Sequence, residues 1–266
     1  MNTAPFQADD IAVAAVVVVL DVVLSVILRL RVHWALAVAS LRMIAQLVAL
    51  GFILRTVFAI DAVWLTAGLV IAMTLAAARE TAARPQQRLR HGHFLTSLTG
   101  VAAPTLLACL FAVVCFMPAG DAGWTARFVV PVVGILLGNV LNAVSIGMAS
   151  VLEGVAREAA AIEARLLLGH PFKAATTPLQ RRAVRQALVP LINQMSAAGI
   201  ITMPGIMTGQ VLAGMDPLHA ATYQIVLMLL LAGASGFAAI ASVHLVLARL
   251  TDERQRLRLD RLRGEG

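Results

Sequence analysis

Apolar residues fall in seven long runs, at about 11–30, 34–54, 62–79, 95–117, 128–150, 188–212 and 220–248, with polar stretches between them. Each is close to the roughly 20 residues that carry an α-helix through the hydrocarbon core of a bilayer. The longest polar interval, 151–187, is itself periodic. Glu153 to Leu168 reads as one helix with Glu153, Arg157 and Glu163 on a charged face, stopped by Gly169-His170-Pro171. A second amphipathic helix, from about Thr177 to Ala187, carries Arg181, Arg182 and Arg185 into the sixth run. The tail, 249–266, reads as a basic amphipathic helix bearing Leu250, Leu257, Leu259 and Leu262. The pattern predicts an all-α polytopic membrane protein with a single domain spanning 1–266.

Composition agrees. Hydrophobic residues make up 60% of the chain and charged residues 13%, with a mean hydropathy of +0.86, whereas a soluble domain carries about 25% charged residues. The net charge of +7 raises the question of nucleic acid, but the basic residues lie between apolar runs. Eighteen of the 21 fall in the intervals after runs 1, 3, 5 and 7. The positive-inside rule places those intervals in the cytoplasm, giving an outside N-terminus and a cytoplasmic C-terminus. Asp9, Asp10, Asp61, Asp121 and Asp216 then all lie outside. The first ten residues have no basic n-region, so the first run does not read as a cleaved signal peptide. Cys109 and Cys115, six residues apart in one run, point to different sides of a helix and read as packing residues.

Polar groups inside the runs are the candidate chemistry. Asp21 sits mid-run, and Arg42 and Gln46 are one helical turn apart on a shared face. A charge at bilayer depth is paired or faces water. Asp21 and Arg42 therefore read as an ion pair locking two hairpin-connected helices, as the lining of a substrate path, or with Arg42 snorkelling to the cytoplasmic face. The fifth run places Asn139 and Asn142 among Gly134, Gly138, Ser145 and Gly147. That suits close helix packing with cross-helix hydrogen bonds, or a polar path. The sixth run contains Pro204-Gly205, and the freed backbone of such a break must face protein or a watery cavity. Asn193, Gln194, Thr202, Thr208 and Gln210 flank it. Met195, Met203, Met207 and Met215 supply thioethers, which serve as flexible packing or as soft metal ligands; Met203 and Met207 would share a helix face. The cytoplasmic helix–turn–helix is either a solvated or membrane-surface element or a docking site. The tail lies on the anionic leaflet or contacts a partner.

Several chemistries have no motif here. The single lysine, Lys173, follows Phe172, so there is no Walker A loop, and His-Glu-x-x-His, Gly-x-Ser-x-Gly and CxxC are missing as well. His91 and His93 would point apart on a helix and do not suggest a metal site.

Four strings together carry a resemblance: Arg42-Met-Ile-Ala-Gln46-Leu-Val-Ala-Leu-Gly51-Phe-Ile-Leu54, Gly134-Ile-Leu-Leu-Gly-Asn139-Val-Leu-Asn142, Ile162-Glu-Ala-Arg-Leu-Leu-Leu-Gly169, and the stretch from Asn193 through Met203-Pro-Gly-Ile-Met-Thr-Gly-Gln210-Val-Leu-Ala-Gly214. From about Arg42 to the end of the seventh run, the chain resembles the FetB family of ABC transporter permeases, bacterial iron-export proteins with plant relatives linked to aluminium tolerance. Met203 stands where the family pattern suggests Leu, and Ile206 where Met is common, which removes one thioether. The resemblance implies a multi-pass permease of the bacterial inner membrane, working as a homodimer with a separate ABC ATPase subunit. This chain would bind no cofactor of its own, ATP and Mg being held by that subunit. It also implies that Glu158, Ile162, Glu163, Leu166 and Gly169 form the element coupled to the ATPase. The substrate would pass Arg42, Gln46, Asn139, Asn142, Asn193, Gln194, Thr202, Met203, Pro204, Gly205, Met207, Thr208 and Gln210.

The expected function is thus export of iron or another metal, free or complexed, driven by ATP hydrolysed on the partner. The residues leave other readings open: an ion-coupled carrier with Asp21 as coupling site, an intramembrane enzyme acting on a lipid-linked substrate, or a structural membrane subunit.

Overall fold

The computed structural model describes residues 8–30, 32–116 and 125–263. Arg31, Asp121, the expected end of the fourth span at residue 117 and residues 264–266 lie outside them. Helices occupy all seven expected spans: α1 (Ala8–Ile27), α2 (His33–Ile60), α3 (Val63–Ala83), α4 (His93–Phe116), α5 (Ala126–Leu167), α6 (Phe172–Ala197), α7 (Gly205–Leu212) and α8 (Pro217–Arg249). Among the described residues, α2, α3, α4, α5 and α8 are long and apolar enough to cross a membrane, and α1 has a shorter apolar stretch, Val13–Ile27. The sixth span is split between the end of α6 and α7.

The chain divides into two compact units, Met1–Asp61 and Ala62–Gly266. In the first, α1 packs on α2, joined by a turn in which the Leu30 amide donates to the Ser25 carbonyl over 3.0 Å and Arg29 adopts a left-handed φ of 54°. Most of its large side chains are exposed, among them Leu20, Leu41, Leu47 and Phe52. An apolar surface of that extent suits lipid or helix contact.

In the second unit α5 is the hub, packing against α3, α4, α6 and α8. Its buried face runs from Val133, Leu136 and Val140 through Val144, Met148 and Val151 to Val155 and Ile162. Small residues let neighbours approach. A Cβ on Gly147 would come within 3.3 Å of Val243, and one on Gly154 within 2.2 Å of Leu179 Cδ1. With 42 residues, α5 is about 63 Å long at 1.5 Å per residue. The hydrocarbon core is about 30 Å thick, so half of the helix projects beyond it. The charged face from Glu153 onward identifies the projecting half.

Two expectations are corrected. The second arm of the 151–187 segment begins at Phe172 rather than near Thr177, and both arms are continuous with the spans they join. Pro171 caps α6 with an extended backbone, ψ 151°, and a helix can start directly after such a residue. The tail is not a helix. After Arg249 it forms an extended strap with a bridge between Thr251 and Leu257 and one 3-10 turn at Leu259–Arg261. It ends in a short strand, β2 (Leu262–Arg263), paired antiparallel with β1 (Arg88–Leu89) of the α3–α4 loop. Asp252 is the reason: its carboxylate Oδ1 accepts the amides of Arg254 and Arg256 at 3.0 Å each, a local turn that competes with helix.

Candidate functional site

Two joints interrupt the helices of the second unit, and both are built from the same residue types. The α5–α6 elbow turns at Gly169, which takes φ 87° and donates its amide to the Leu166 carbonyl over 2.9 Å. Left-handed backbone of this kind is strained for any residue with a Cβ. The arms then run back along each other around a dry seam of Ile162, Phe172, Ala175 and Leu179, all buried. Polar ties brace the seam: Arg182 Nη2 bonds the Glu158 carboxylate at 2.6 Å, Arg165 Nη1 donates to the Ala175 carbonyl at 2.9 Å, and Ser150 donates to the Gln186 side chain. Leu167 and Leu168 stand at the tip, 89% and 78% exposed. The braced hairpin thus ends in two leucines left largely bare by the rest of the described residues.

The strap reaches this elbow. Gln255, itself left-handed at φ 56°, accepts the Phe172 amide on its side-chain oxygen at 2.9 Å. Further along, the Arg90 amide donates to the Arg261 carbonyl at 2.7 Å, and Arg261 Nη1 donates to the carbonyls of Arg249 and Thr251. The α3–α4 loop, the elbow and the C-terminal strap therefore meet at one end of the unit, as their shared basic character implies. The strap's carboxylates are strongly engaged. Hydrogen bonds from the Arg256 backbone and side chain hold Asp252 below the ordinary carboxylate range, and the Arg258 guanidinium holds Asp260 down to about 2.

The second joint lies between α6 and α7. Gly199 takes φ 82° and its amide bonds the Thr202 carbonyl at 2.9 Å, while Ile201 and Thr202 donate to the Ala197 carbonyl. Pro204 caps α7, which starts at Gly205. The interruption thus covers 198–204 rather than Pro204-Gly205 alone. Met203 is outside any helix, so the four-residue spacing to Met207 does not put the two thioethers on one helix face. Ile200, Ile201 and Met203 are largely exposed.

A family model described as "Uncharacterised protein family (UPF0014)" matches residues 8–251. The chain belongs to this family. It is 32% identical over 219 residues to the UPF0014 membrane protein slr1647 of Synechocystis, covering 81% of this chain and 83% of that one. Identity to the Arabidopsis thaliana protein ALUMINUM SENSITIVE 3 is 28%, over 88% and 84% of the two chains. The probable iron export permease protein FetB of Escherichia coli is 27% identical over 99% of both chains. No solved structure matches. Membership agrees with the seven helical regions: this is a multi-pass cell-membrane protein.

In this UPF0014 protein the residues expected to line a path are spread over several environments. Asn142 is exposed on α5 and its side-chain oxygen accepts from Arg84 Nη1 at 2.9 Å; Arg84 also lies 3.8 Å from Glu80. Asn139 donates to the Ile135 carbonyl of its own helix at 3.1 Å. Gly134 faces Met73, while Gly138, one turn further on the same face, meets nothing within 4 Å, so this face of α5 opens from Gly138 to the exposed Asn142. Asn193, Gln194 and Thr202 are exposed around the end of α6, Met207 is half-buried on α7, and Thr208 Oγ1 returns to the Pro204 carbonyl. Gln210 Oε1 on α7 and Gln224 Oε1 on the neighbouring α8 are buried without a hydrogen-bond partner among the described residues. Arg42 and Gln46 are exposed on α2, and Asp21 on α1, in the N-terminal unit.

Among the residues expected to couple to an ATPase, Glu158 is half-buried in its ion pair and also marks a kink (φ −104°, ψ 16°), Ile162 is buried in the seam, and Glu163 and Leu166 face a cleft beside the strap. Sequence reasoning missed Arg182 as the partner of Glu158, and Asp252, Gln255 and Arg261 as anchors of the strap. The first was legible, because the two residues are twelve positions either side of His170, the middle of the elbow. Among the described residues no group of three or more His, Cys, Asp or Glu side chains converges as a metal site would require. His93 is occupied by backbone, with Nδ1 accepting the Leu89 amide and Nε2 at 3.1 Å from the Ala82 carbonyl.

Proposed function

We propose that this chain is the membrane-spanning subunit of an ATP-driven transporter, working with a separate ATPase subunit and a second copy of itself to move iron or another metal, free or complexed, out of the cytoplasm. The observation that carries the reading is the elbow. The helices of the fifth and sixth spans continue, α5 through a kink at Glu158, into a braced hairpin whose tip offers Leu167 and Leu168 to a partner. Movement imposed at the tip is passed directly to α5 and α6, which is what coupling to a nucleotide-driven subunit needs. The missing Walker A loop is consistent with ATP and Mg being held by the partner.

The cargo rests on the relative named as an iron export permease, aligned over almost its whole length. The path is assigned to the open face of α5 and the α6–α7 break, where Asn142, Asn193, Gln194 and Thr202 are exposed. Polar groups on membrane helices are stable when water or protein covers them, and a second copy supplies that cover. The elbow, the α3–α4 loop and the strap are placed in the cytoplasm by their basic residues, with the N-terminus outside.

The test is co-purification of the full chain from its native membrane, followed by ATPase measurements with Leu167→Asp. A stoichiometric ATPase subunit whose activity responds to this chain, and which is lost with Leu167→Asp, is the expected result. Purification without any nucleotide-binding partner would overturn the reading.

A further inference from the structure

We infer that the ATPase docking surface is composite, with the C-terminal strap forming its second wall. This rests on the proposed pairing with an ATPase. Between the elbow and the strap lies a cleft of about 670 Å³, with Glu163, Leu166, Leu167 and Pro171 on one side and Arg254, Gln255 and Leu257 on the other. The strap is held there by side-chain chemistry. Gln255 accepts the Phe172 amide at the first residue of α6, Asp252 pins the turn before it, and β2 fastens the far end to β1.

The charge pattern selects the occupant. Arg256 is paired with Asp252 at 2.8 Å and Arg258 with Asp260 at 2.8 Å, whereas Arg254 is exposed at the cleft with its guanidinium directed to no carboxylate among the described ion pairs. Leu167 and Leu257 supply apolar walls. With Glu163 on the elbow wall and Arg254 on the strap wall, the cleft fits an apolar side chain of the ATPase subunit whose flanking carboxylate lies on the strap side, away from Glu163. Arg254 pairs with that carboxylate, and Gln255 positions the wall. Because the strap also holds the α3–α4 loop, docking there engages α3 and α4 together with α5 and α6.

The experiment uses the full-length chain in nanodiscs and the ATPase subunit that co-purifies with it, measuring binding at low and moderate salt. Arg254→Glu should weaken binding at least about fivefold, with most of the loss appearing at low salt, since an exposed charge pair is screened. Gln255→Ala should give a smaller loss, and a carboxylate-to-arginine change on the ATPase should restore binding to Arg254→Glu alone. Leu167→Asp separates the two ideas. If it abolishes binding while Arg254→Glu changes nothing, the strap is not a docking wall and the elbow reading stands. If neither changes binding, both fail. If the effect of Arg254→Glu appears only in nanodiscs containing anionic lipid and vanishes in neutral ones, the arginine serves the leaflet and the composite surface is wrong.

Discussion

The elbow at Gly169 and the break at Gly199 are the same local device in different surroundings. Each has a left-handed glycine at the end of a helix and a proline that caps the next one, Pro171 and Pro204. The elbow is embraced: a buried seam, the Glu158–Arg182 pair, the Arg165 bond to the Ala175 carbonyl and the strap all hold it. The break is bare. Among the described residues its hydrogen bonds run within Gln194–Thr208, and Ile200, Ile201 and Met203 are largely exposed. Local stability follows the density of buried contacts. One joint is therefore a strut and the other a hinge, and under the proposed function movement of the strut would be taken up at the break.

The largest expected effect comes from Gly169→Pro. Proline fixes φ near −65° and removes the amide that bonds Leu166, so the elbow should lose about 3 kcal/mol or more. Stimulation of the ATPase should disappear while helix content by circular dichroism stays near wild type. Gly199→Pro, the matching change in the hinge, should leave ATPase binding intact and alter transport only. Equal effects of the two changes on binding would erase the distinction between the joints.

Next is Gly154→Ala. The new methyl would sit 2.2 Å from Leu179 Cδ1, and Leu179 is buried in the seam. Overpacking of this kind costs about 1–3 kcal/mol, read as a lower unfolding midpoint in detergent. Gly138→Ala, on the open side of the same helix, should be nearly neutral. Gln224→Met should move the other way. Its buried oxygen has no partner among the described residues, and removing an unsatisfied group of that kind is worth about 1 kcal/mol. A stabilised but transport-dead variant would place Gln224 on the path; a stabilised and active one would make it a packing residue.

Smaller effects attach to charges at the surface. Glu158→Gln should cost under about 1 kcal/mol, because a pair this exposed is screened by water and salt. Acid should loosen the strap late. The folded carboxylates of Asp252 and Asp260 are depressed, so the stability they contribute is present above the ordinary carboxylate value of about 4 and is lost as pH falls through their folded values, about 2 for Asp260. Pepsin cleavage of the strap, normalised to a denatured control at each pH, should therefore stay low near about pH 4 and rise on going to about pH 2.

The helices and their order were legible because lipid imposes a simple rule: about 20 apolar residues make a span, and basic residues mark one side. The elbow was legible from Glu153, Arg157 and Glu163 and from the Gly169-His170-Pro171 stop. What the pattern hid were features made by distant partners. Leu250 and Leu257 stand two helical turns apart in sequence, yet no helix joins them and both pack in the apolar core of the second unit, because Asp252 captures the amides that a helix would use. Pro204-Gly205 marked the sixth span as broken, but the backbone had already left the helix at Ala198, where Gly199 closes a tight turn. Asn142, expected from the sequence on the path, also accepts a bond from Arg84, a contact between residues 58 apart that no local pattern reports. Asn193 and Gln194, picked from the sequence as polar groups of the sixth run, are exposed around the end of α6.

The account stands or falls on the strut and the hinge. The direct measurement is distance distributions between spin labels in the full transporter, on a background with Cys109 and Cys115 replaced. One pair spans the elbow at Arg157 and Arg181, and the other spans the break at Ile192 and Leu212, all exposed positions. A narrow distribution across the elbow that is unchanged by nucleotide, with a broad or nucleotide-dependent one across the break, is the predicted result. A broad elbow distribution, or a break as narrow and fixed as the elbow, would contradict it.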